Sequence, residues 1–385
     1  MDEQQLENGG APPKKKRKRA RSRVLAFVIP ALLCAAAVMC FLYRDSLSAD
    51  GLRRLFGRTV EQETDTMRDW NYENGSNQVF AQVGNGLAAA SSSTMQLIDE
   101  NGVTVFHQIC SMVSPAVSAN DSAALFFDVG GTACRLASLD GTDRELEAGG
   151  AIISASLSRS GYCAVITEEA GVKGVVRVYD TAGNLIYEWY SGTGYAVRAL
   201  VSPDAKRLAV LCLTGEGSFI HIFRLTSEEE LALVSAPGEV YYDMDFTDTA
   251  GLCAVGSDGL LFFTLDGTAL LSYDFGGRFL NAYDFGGGFV AVHLCDYRTG
   301  TAGELISLSP DGKVLGSQRT EREIKCLSAC GKRLLASGPD GLELYSQQLV
   351  LQAQREMLVT AKAALLRPKG DVLLLSSYAA ERASF

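Results

Sequence analysis

The sequence predicts an all-β fold made of a repeated four-strand unit, preceded by one membrane-spanning α-helix. Glycine is abundant, with 39 residues against 9 prolines among 385, which indicates many tight turns. From about residue 77 onwards, apolar or alternating runs of about 5–9 residues follow one another, and no segment with helical periodicity separates them. Near the N-terminus, by contrast, twenty consecutive residues carry no charge, which is typical of a membrane span.

Residues 1–23 form a basic segment, with eight Lys or Arg and three acidic residues. Taken alone, its stretch PPKKKRKRARSR is typical of a nuclear-localisation signal or of an arm that binds nucleic acid. The uncharged run VLAFVIPALLCAAAVMCFLY, residues 24–43, follows directly. At about 1.5 Å per residue this run is long enough to cross the ~30 Å hydrocarbon core of a bilayer as a helix. We therefore expect a basic cytoplasmic head at 1–23 and a transmembrane helix at 24–43 that sits in the lipid bilayer.

The charges that flank the span predict its orientation. Eight cations precede it, whereas four follow closely, namely Arg44, Arg53, Arg54 and Arg58. Because Lys and Arg are enriched on the cytoplasmic side of membrane helices, we expect a single-pass protein of the cell membrane with a cytoplasmic N-terminus and an extracytoplasmic C-terminal domain. A cleaved signal peptide is the competing interpretation, but the apolar run exceeds the usual ~7–15 residues. A lipoprotein is disfavoured because Cys34 and Cys40 are directly preceded by Leu-Leu and Val-Met, where small residues would be expected.

Residues 44–76 are predicted to be a stalk, and residues 77–385 a folded domain. Hydrophobic residues make up 47% and charged residues 21% of the chain, values that argue against wholesale disorder and against a polytopic membrane protein. Residues 24–385 carry a net charge of about −15. An acidic domain repels phosphate backbones, so no nucleic-acid partner is expected. A nuclear or nucleic-acid protein stays open only as a third hypothesis, which requires solubility without detergent.

The folded region repeats with a regular period. The first strands of successive units are expected near Val79, Val113, Ile152, Val197, Val240, Phe279, Ile324 and Val359, an average step of 40 residues. A four-strand unit of about 40–45 residues is typical of a blade of a β-propeller. Eight blades are preferred and seven stay possible, because the chain ends at Phe385 before the last unit is complete. Residues 67–75, MRDWNYENG, are placed to donate a strand that completes it.

The turns of these units resemble those of WD40-like propellers. VSPDAKRLAVLCL at 201–213 and LSPDGK at 308–313 resemble the SPDG-K-x-hydrophobic hairpin, and LDG at 139–141 and 265–267 and DTAGN at 180–184 resemble outer-strand turns. The GH and WD dipeptides of true WD40 repeats are absent, as is the Trp-containing motif of quinohemoprotein propellers, so no cofactor is expected. The whole chain resembles a family of membrane-anchored WD40-like β-propellers of unknown function from clostridia-like Gram-positive bacteria. This resemblance implies an architecture and no activity.

Catalytic and metal-binding patterns are scarce. The chain has no GxSxG, HExxH or GxxxxGK[ST] motif and no zinc-ligand spacing, so no catalytic residue and no metal site is expected. The three histidines lie within apolar strand patterns and are expected to be packed strand residues: His107, His221 and His293. Two of the ten cysteines lie in the predicted span. The other eight are expected to be free thiols, most of them within apolar strands, although an extracytoplasmic location leaves one disulfide pair as an alternative.

The first strands of a propeller line its central channel, so their polar residues are candidates for binding a ligand or peptide. The acidic segment YYDMDFTDTAG, residues 241–251, lacks the residue order of a calcium loop. Its Asp243 and Asp245 alternate with Met244 and Phe246, which predicts a strand with one polar face. The candidate channel residues are Arg198, Tyr241, Asp243, Asp245, Tyr283 and Asp284.

The favoured hypothesis is a membrane-anchored extracytoplasmic propeller that acts as a non-catalytic binding or scaffolding module, with a protein or another component of the cell envelope as its partner. The alternative is a propeller enzyme, a hydrolase or lyase, that uses channel acidic and histidine residues such as Asp243 and His293. An activity that Asp243→Asn or His293→Ala abolishes, while thermal unfolding stays unchanged, would favour the enzyme.

Overall fold

The computed structural model describes residues 70–385 except residues 228, 299, 300 and 359. This part of the chain contains 32 β-strands and no α-helix. No helix long and apolar enough to cross a membrane is therefore found in it. The basic head at 1–23, the predicted span at 24–43 and most of the predicted stalk lie outside the described residues.

The 32 strands form eight antiparallel four-stranded sheets, so the chain is an eight-bladed propeller and the prediction of eight blades is confirmed. In blades 1 to 7 the strands follow one another in chain order from the innermost to the outermost. Blade 1 comprises β2 (Val79–Val83), β3 (Gly86–Ala90), β4 (Thr94–Ile98) and β5 (Thr104–Ile109). Blade 2 comprises β6 (Pro115–Ala119), β7 (Ala123–Asp128), β8 (Cys134–Ser138) and β9 (Asp143–Glu145).

Blades 3, 4 and 5 continue this order. Blade 3 comprises β10 (Ile152–Leu157), β11 (Cys163–Thr167), β12 (Val175–Tyr179) and β13 (Leu185–Tyr190). Blade 4 comprises β14 (Tyr195–Val201), β15 (Arg207–Thr214), β16 (Gly217–Arg224) and β17 (Glu230–Pro237). Blade 5 comprises β18 (Tyr241–Phe246), β19 (Gly251–Gly256), β20 (Gly259–Thr264) and β21 (Ala269–Asp274).

The last three blades complete the ring. Blade 6 comprises β22 (Phe279–Gly286), β23 (Phe289–Cys295), β24 (Gly303–Leu308) and β25 (Val314–Thr320). Blade 7 comprises β26 (Cys326–Cys330), β27 (Arg333–Gly338), β28 (Gly341–Ser346) and β29 (Leu351–Glu356). Blade 8 comprises β30 (Ala363–Leu366), β31 (Val372–Leu375), β32 (Ala379–Ala383) and, as its outermost strand, β1 (Trp70–Asn71).

The propeller has two faces, which we name by the direction of the innermost strands. The innermost strands all begin at one face, which we call the start face. Because neighbouring strands in a blade are antiparallel, the turns between second and third strands lie at this face too. The innermost strands end at the opposite face, together with the turns between first and second strands, and we call this the end face. The channel runs between the two faces along the innermost strands.

Predicted and observed elements agree closely along the chain. Each predicted first strand lies within four residues of the start of an observed innermost strand. The LDG and DTAGN turns connect third and fourth strands, as predicted. The two SPD motifs differ, because VSPDAK joins the first two strands of blade 4 whereas LSPDGK joins the last two strands of blade 6. Both place a residue at positive φ, Ala205 at 56° and Gly312 at 82°, so the motif determines turn geometry and not position in the blade.

Apolar second and third strands form the core between neighbouring blades. Strands β7, β11 and β23 are buried along their whole length, because both faces of each blade pack against a neighbour. All eight cysteines of the described region are free, and five of them are buried: Cys134, Cys163, Cys212, Cys253 and Cys295. Burial raises the pKa of the Cys134 and Cys212 thiols to about 12, so both are protonated at neutral pH.

The N-terminal strand closes the ring, as the sequence predicted. Trp70 pairs with Ala380 in β32, and its side chain is 1% exposed. The guanidinium of Arg367, a residue that is itself fully buried, lies 5.0 Å from the centroid of the Trp70 ring. The Tyr72 hydroxyl lies 2.8 Å from the carbonyl oxygen of Ser376. The first and last described segments of the chain are therefore joined by side chains as well as by the short strand.

Asp371 neutralises the buried cation at this closure. Its Oδ1 accepts a hydrogen bond from Arg367 Nε at 2.9 Å, and its Oδ2 accepts one from Arg382 Nε at 3.0 Å. Arg367 Nη1 donates to the backbone oxygen of Asn85 in blade 1 at 2.8 Å. Burial raises the pKa of Asp371, but the hydrogen bonds and charges of the two arginines outweigh burial and hold this pKa below its usual value.

Replacing Asp371 by Asn is expected to destabilise the propeller by about 3–5 kcal/mol, because it leaves the buried Arg367 guanidinium without a counter-charge. The free energy of unfolding in urea, measured on the full chain in detergent, tests this. Asp140→Asn, in an exposed turn, is the control and should cost less than about 1 kcal/mol. Since the pKa of Asp371 is depressed, its contribution is present above about pH 4 and is lost as the pH falls through the folded-state pKa. Equal losses in both variants would contradict the role of Asp371.

Candidate functional site

Three of the predicted channel residues form a cluster that crosses blades 4, 5 and 6. Asp243 Oδ1 lies 2.9 Å from Arg198 Nε in an ion pair, although the N–H is not aligned for a hydrogen bond. Asp243 Oδ2 accepts a hydrogen bond of 2.8 Å from the Tyr283 hydroxyl. Burial and the negative charge of Asp243 raise the pKa of Tyr283, which keeps this hydroxyl protonated as the donor. Arg198 and Asp243 each remain about one-quarter exposed, so water in the channel reaches both.

Tyr241 does not line the channel, and its prediction as a channel residue is corrected. Its side chain is 2% exposed and packs with Met244 and Phe263 in the core. The ring lies over Gly256, where an added Cβ would come within 3.1 Å of Tyr241 Cδ1. The strand bulges between Tyr241 and Asp243, which changes the direction of successive side chains and turns Tyr241 into the blade.

Asp245 and Asp284 lie further along the channel, toward the end face. Asp245 Oδ1 accepts a hydrogen bond from the backbone N–H of Phe246 at 2.6 Å. Burial raises the pKa of Asp245, and the positive charge of Arg198 opposes this rise. Burial also raises the pKa of Asp284 to about 6, against the lowering effect of two backbone N–H donors. These two carboxylates thus give the channel wall a charge that depends on pH.

Asp284 also connects two blades. Its Oδ2 accepts a hydrogen bond of 2.6 Å from the backbone N–H of Ala329 in the next blade. At two other blade junctions a serine makes the same type of contact: Ser118 Oγ accepts from Leu157 N at 2.9 Å, and Ser328 Oγ accepts from Leu366 N at 2.9 Å. Asp284 therefore places a titratable carboxyl group where the other two junctions have a neutral hydroxyl.

A cavity of about 810 Å³ opens where the innermost strands end, at the end face. Residues from all eight blades line it, because the turns between first and second strands converge there. Its lining includes Asp245 and Asp284 and four charged residues in or beside these turns: Asp121, Arg159, Lys332 and Arg333. In an eight-bladed ring Asp121 of blade 2 faces Asp284 of blade 6, and Arg159 of blade 3 faces the Lys332 and Arg333 pair of blade 7.

The four charged turn residues of this cavity were not predicted from the sequence. The predicted candidates lie on the first strands themselves, whereas the cavity is completed by the turns that follow them. The available signal was positional, since Asp121, Arg159 and Lys332 each come two residues after the end of an innermost strand. Once eight blades are assumed, such turns necessarily surround one end of the channel.

The three histidines do not converge. His107 Nε2 lies 3.1 Å from Glu73 Oε1, and His221 Nδ1 lies 3.0 Å from Glu230 Oε1. His293 is 1% exposed, and burial lowers its pKa to about 4. In the described part of the chain, no contact joins His293 to Asp243, and no group of three or more His, Cys, Asp or Glu side chains is placed to hold a metal ion.

His293 is instead held by its own blade. Its Nδ1 accepts a hydrogen bond of 3.0 Å from the side-chain amide of Asn281, and its Nε2 has no hydrogen-bond partner in the structure. This arrangement is that of a neutral, packed strand residue, as the sequence predicted. In the described residues, His293 therefore forms no acid–base pair with Asp243.

Comparison with known proteins supplies the family. Residues 59–365 match the model of DUF5711, which is described as a family of unknown function. The chain belongs to this family. Comparison with the curated proteins found no match. The predicted resemblance to a propeller family of unknown function is thus supported, whereas its origin in clostridia-like bacteria stays a prediction.

Solved structures similar to this DUF5711 chain are propellers of distant sequence. The computationally designed Ika8 protein has 13% identity and a TM-score of 0.60, with 82% of this chain and 98% of that chain covered. The C-terminal WD40 domain of Sif2 has 11% identity and a TM-score of 0.57, with coverage of 84% and 99%. BamB from Moraxella catarrhalis has 14% identity and a TM-score of 0.52, with coverage of 82% and 98%. At these identities the similarity shows the WD40-like propeller fold alone.

Replacing Asp284 by Ser is expected to change how stability depends on pH. The folded-state pKa of about 6 lies above the unfolded value of about 3.9, so the contribution of this group to stability is greatest below about pH 4 and is lost as the pH rises through 6. The unfolding free energy of wild type minus that of D284S should therefore decrease as the pH rises from 4 to 6. Ser328→Ala, which removes the corresponding neutral bond, should lower stability by about 1 kcal/mol at every pH. A constant difference for D284S would contradict the raised pKa.

Proposed function

We propose that this DUF5711 protein is a single-pass, membrane-anchored binding module whose propeller lies outside the cytoplasm and whose ligand or partner segment occupies the cavity at the end face. The observation that carries the proposal is this cavity, to which all eight blades contribute. Its volume of about 810 Å³ falls in the ~300–1,000 Å³ range of ligand sites in proteins. No other feature of the described propeller brings so many blades to one place.

The cavity favours a polar occupant with both signs of charge. Its six charged residues are three acids and three bases, and like charges face each other across the ring. A polyanion or polycation therefore gains no net attraction from the lining, whereas an exposed peptide segment or a zwitterionic group can pair with both. Glycine-containing turns, such as the one at Gly286 and Gly287, also bring backbone groups to the wall. A protein or another cell-envelope component with such a segment is the proposed partner.

Binding without catalysis is supported by how the wall residues are engaged. Asp243 is already paired with Arg198 and Tyr283, and both carboxylate oxygens of Asp284 accept backbone hydrogen bonds. These contacts connect neighbouring blades and keep the wall rigid. A rigid, preorganised wall lowers the entropy cost of binding, and the Asp243 carboxylate, with both oxygens engaged, is not free to act as a general base.

The membrane anchoring rests on the sequence. The uncharged run at 24–43 and the eight cations before it support an N-terminus in the cytoplasm and a propeller on the other side. An anchored propeller would hold its cavity within reach of other envelope components. The acidic character of the domain argues against nucleic acid as the partner.

Photocrosslinking in cells tests the cavity. A benzophenone amino acid in place of Lys332, which lines the cavity, is expected to yield a discrete crosslinked species. The same substitution at Lys206, an exposed residue of the end face outside the cavity lining, is the matched control and should yield none. Equal crosslinking at the two positions, or none at position 332, would contradict the cavity as the binding site.

Protease treatment of intact cells tests the topology. A tag at the C-terminus should be removed while the N-terminus stays protected, because the propeller is proposed to lie outside. A protected C-terminal tag would place the propeller in the cytoplasm and would replace the envelope partner by an intracellular one. The crosslinking result does not depend on this outcome, so the two parts of the proposal can fail separately.

A further inference from the structure

Large exposed apolar side chains are distributed unevenly between the two faces. Of the 22 in the described residues, nine lie on the start face: Val113, Val129, Tyr195, Val240, Tyr242, Phe279, Tyr297, Leu358 and Tyr378. The end face has three, namely Val103 and Val350 in turns at the outer edge and Phe385 beyond the end of β32. The other ten lie on outermost strands. The start face is therefore the apolar face of the disc, and exposed apolar groups concentrated in this way are typical of interaction surfaces.

Blades 4, 5 and 6 carry the most aromatic part of this face. Tyr195, Tyr242 and Phe279 are 59%, 45% and 42% exposed, and Val240 between them is 57% exposed. All four lie at or next to the start of an innermost strand, so the fold places them around one side of the channel opening. We call these four residues the aromatic sector. Tyrosine and phenylalanine supply large contact areas at little entropy cost, as in protein-binding surfaces.

Four carboxylates surround the aromatic sector. Glu216 and Asp258 lie in the turns between second and third strands of blades 4 and 5, and Glu239 and Asp274 lie beside them at the ends of these blades. No ion pair involves any of the four in the described structure. The nearby cations are already engaged, since Arg278 Nη1 lies 2.6 Å from Glu304 Oε2 and Lys173 Nζ lies 4.5 Å from the Tyr195 ring centroid.

The whole propeller shows the same charge asymmetry. Residues 70–277, which include blades 1 to 5, contain 25 acidic and 9 basic residues, whereas residues 278–385 contain 11 acidic and 13 basic residues. Blade 5, at the centre of the aromatic sector, has six acidic residues and no basic one between Tyr241 and Asp274. A positively charged partner is attracted to this side of the disc and steered toward it.

We propose that the aromatic sector and its four carboxylates form a docking surface for a partner protein segment that is rich in Lys or Arg and carries apolar side chains. The apolar side chains pack on Tyr242, Val240 and Phe279, and the cationic groups pair with the carboxylates. The contact between Lys173 and Tyr195 shows that a ring of this sector already accommodates an ammonium group. This surface lies at the face opposite to the cavity, so the inference goes beyond the proposed function and does not depend on it.

Two twelve-residue peptides test the proposal on the full chain in detergent. The probe contains lysine pairs separated by leucine and phenylalanine, and the comparison peptide, PPKKKRKRARSR, is basic but has no large apolar residue. We expect the probe to bind at least about 10-fold more tightly at physiological salt. Titration by fluorescence anisotropy measures both affinities. Equal affinities would overturn the proposal, because they would mean that the apolar sector contributes nothing.

Variants locate the binding surface. Tyr242→Ala with Phe279→Ala, and separately Glu239→Lys with Asp258→Lys, should each weaken the probe at least about 10-fold. Asp204→Lys with Asp311→Lys makes the same charge change on the end face of blades 4 and 6 and should weaken it less than 3-fold. Thermal unfolding verifies that each variant folds. A similar loss with both charge variants would indicate attraction to net charge alone and overturn the docking surface.

Anionic lipid offers a further discrimination. Vesicles of phosphatidylglycerol and phosphatidylcholine, mixed without the probe with the protein in nanodiscs, should bind wild type and the Tyr242→Ala with Phe279→Ala variant equally, because the carboxylates repel anionic headgroups from the aromatic sector. Vesicle binding that this variant weakens would assign the surface to membrane contact instead of protein contact. The binding tests of this surface and the photocrosslinking test at position 332 are independent, so failure of one does not affect the other.

Discussion

The buried ion pair of Arg367 with Asp371 is the interaction on which the closed ring depends. Each blade of a propeller packs only against its two neighbours, so an open array would expose the apolar faces of its first and last blades. The closing strand pairs only two residues, Trp70 and Asn71, with the last blade. Such a short strand contributes little by itself. The side chains of Trp70, Arg367 and Asp371 supply the remaining contacts, and Arg367 reaches the backbone of blade 1 at the same time.

Interactions between blades also form the candidate site. Asp284 bridges blades 6 and 7, and Asp243 bridges blades 4, 5 and 6 through Arg198 and Tyr283. The polar wall of the channel is therefore part of the structure that aligns the blades, and a ligand meets groups whose positions are already determined. A substitution at these residues therefore changes blade packing as well as the channel wall. Serine in place of Asp284 is expected to keep the contact between blades, since serine makes the equivalent contact at two other junctions.

The fold was predictable from the sequence because a repeat averages local uncertainty over eight units. Where the start of a strand is poorly indicated in one unit, as for β30, the spacing of the other seven units constrains it. The side-chain directions were less predictable, since they depend on single residues. The bulge beside Tyr241 directs this side chain into the blade, and Gly256 leaves room for its ring. Neither effect can be derived from the alternation of polar and apolar residues along the strand. The charged lining contributed by Asp121, Arg159 and Lys332 arises from turns that become neighbours only when the ring closes.

The place at which the chain joins the propeller has a mechanical consequence. The strand that completes blade 8 is also the first strand of the described residues, so tension along the polypeptide from the N-terminal side acts first on Trp70. The load is then shared by the indole, the Arg367 guanidinium and the Asp371 carboxylate, and by blade 1 through the contact of Arg367 with Asn85. A pulling force is therefore expected to open the propeller at its seam, between blades 8 and 1, where the buried ion pair resists separation.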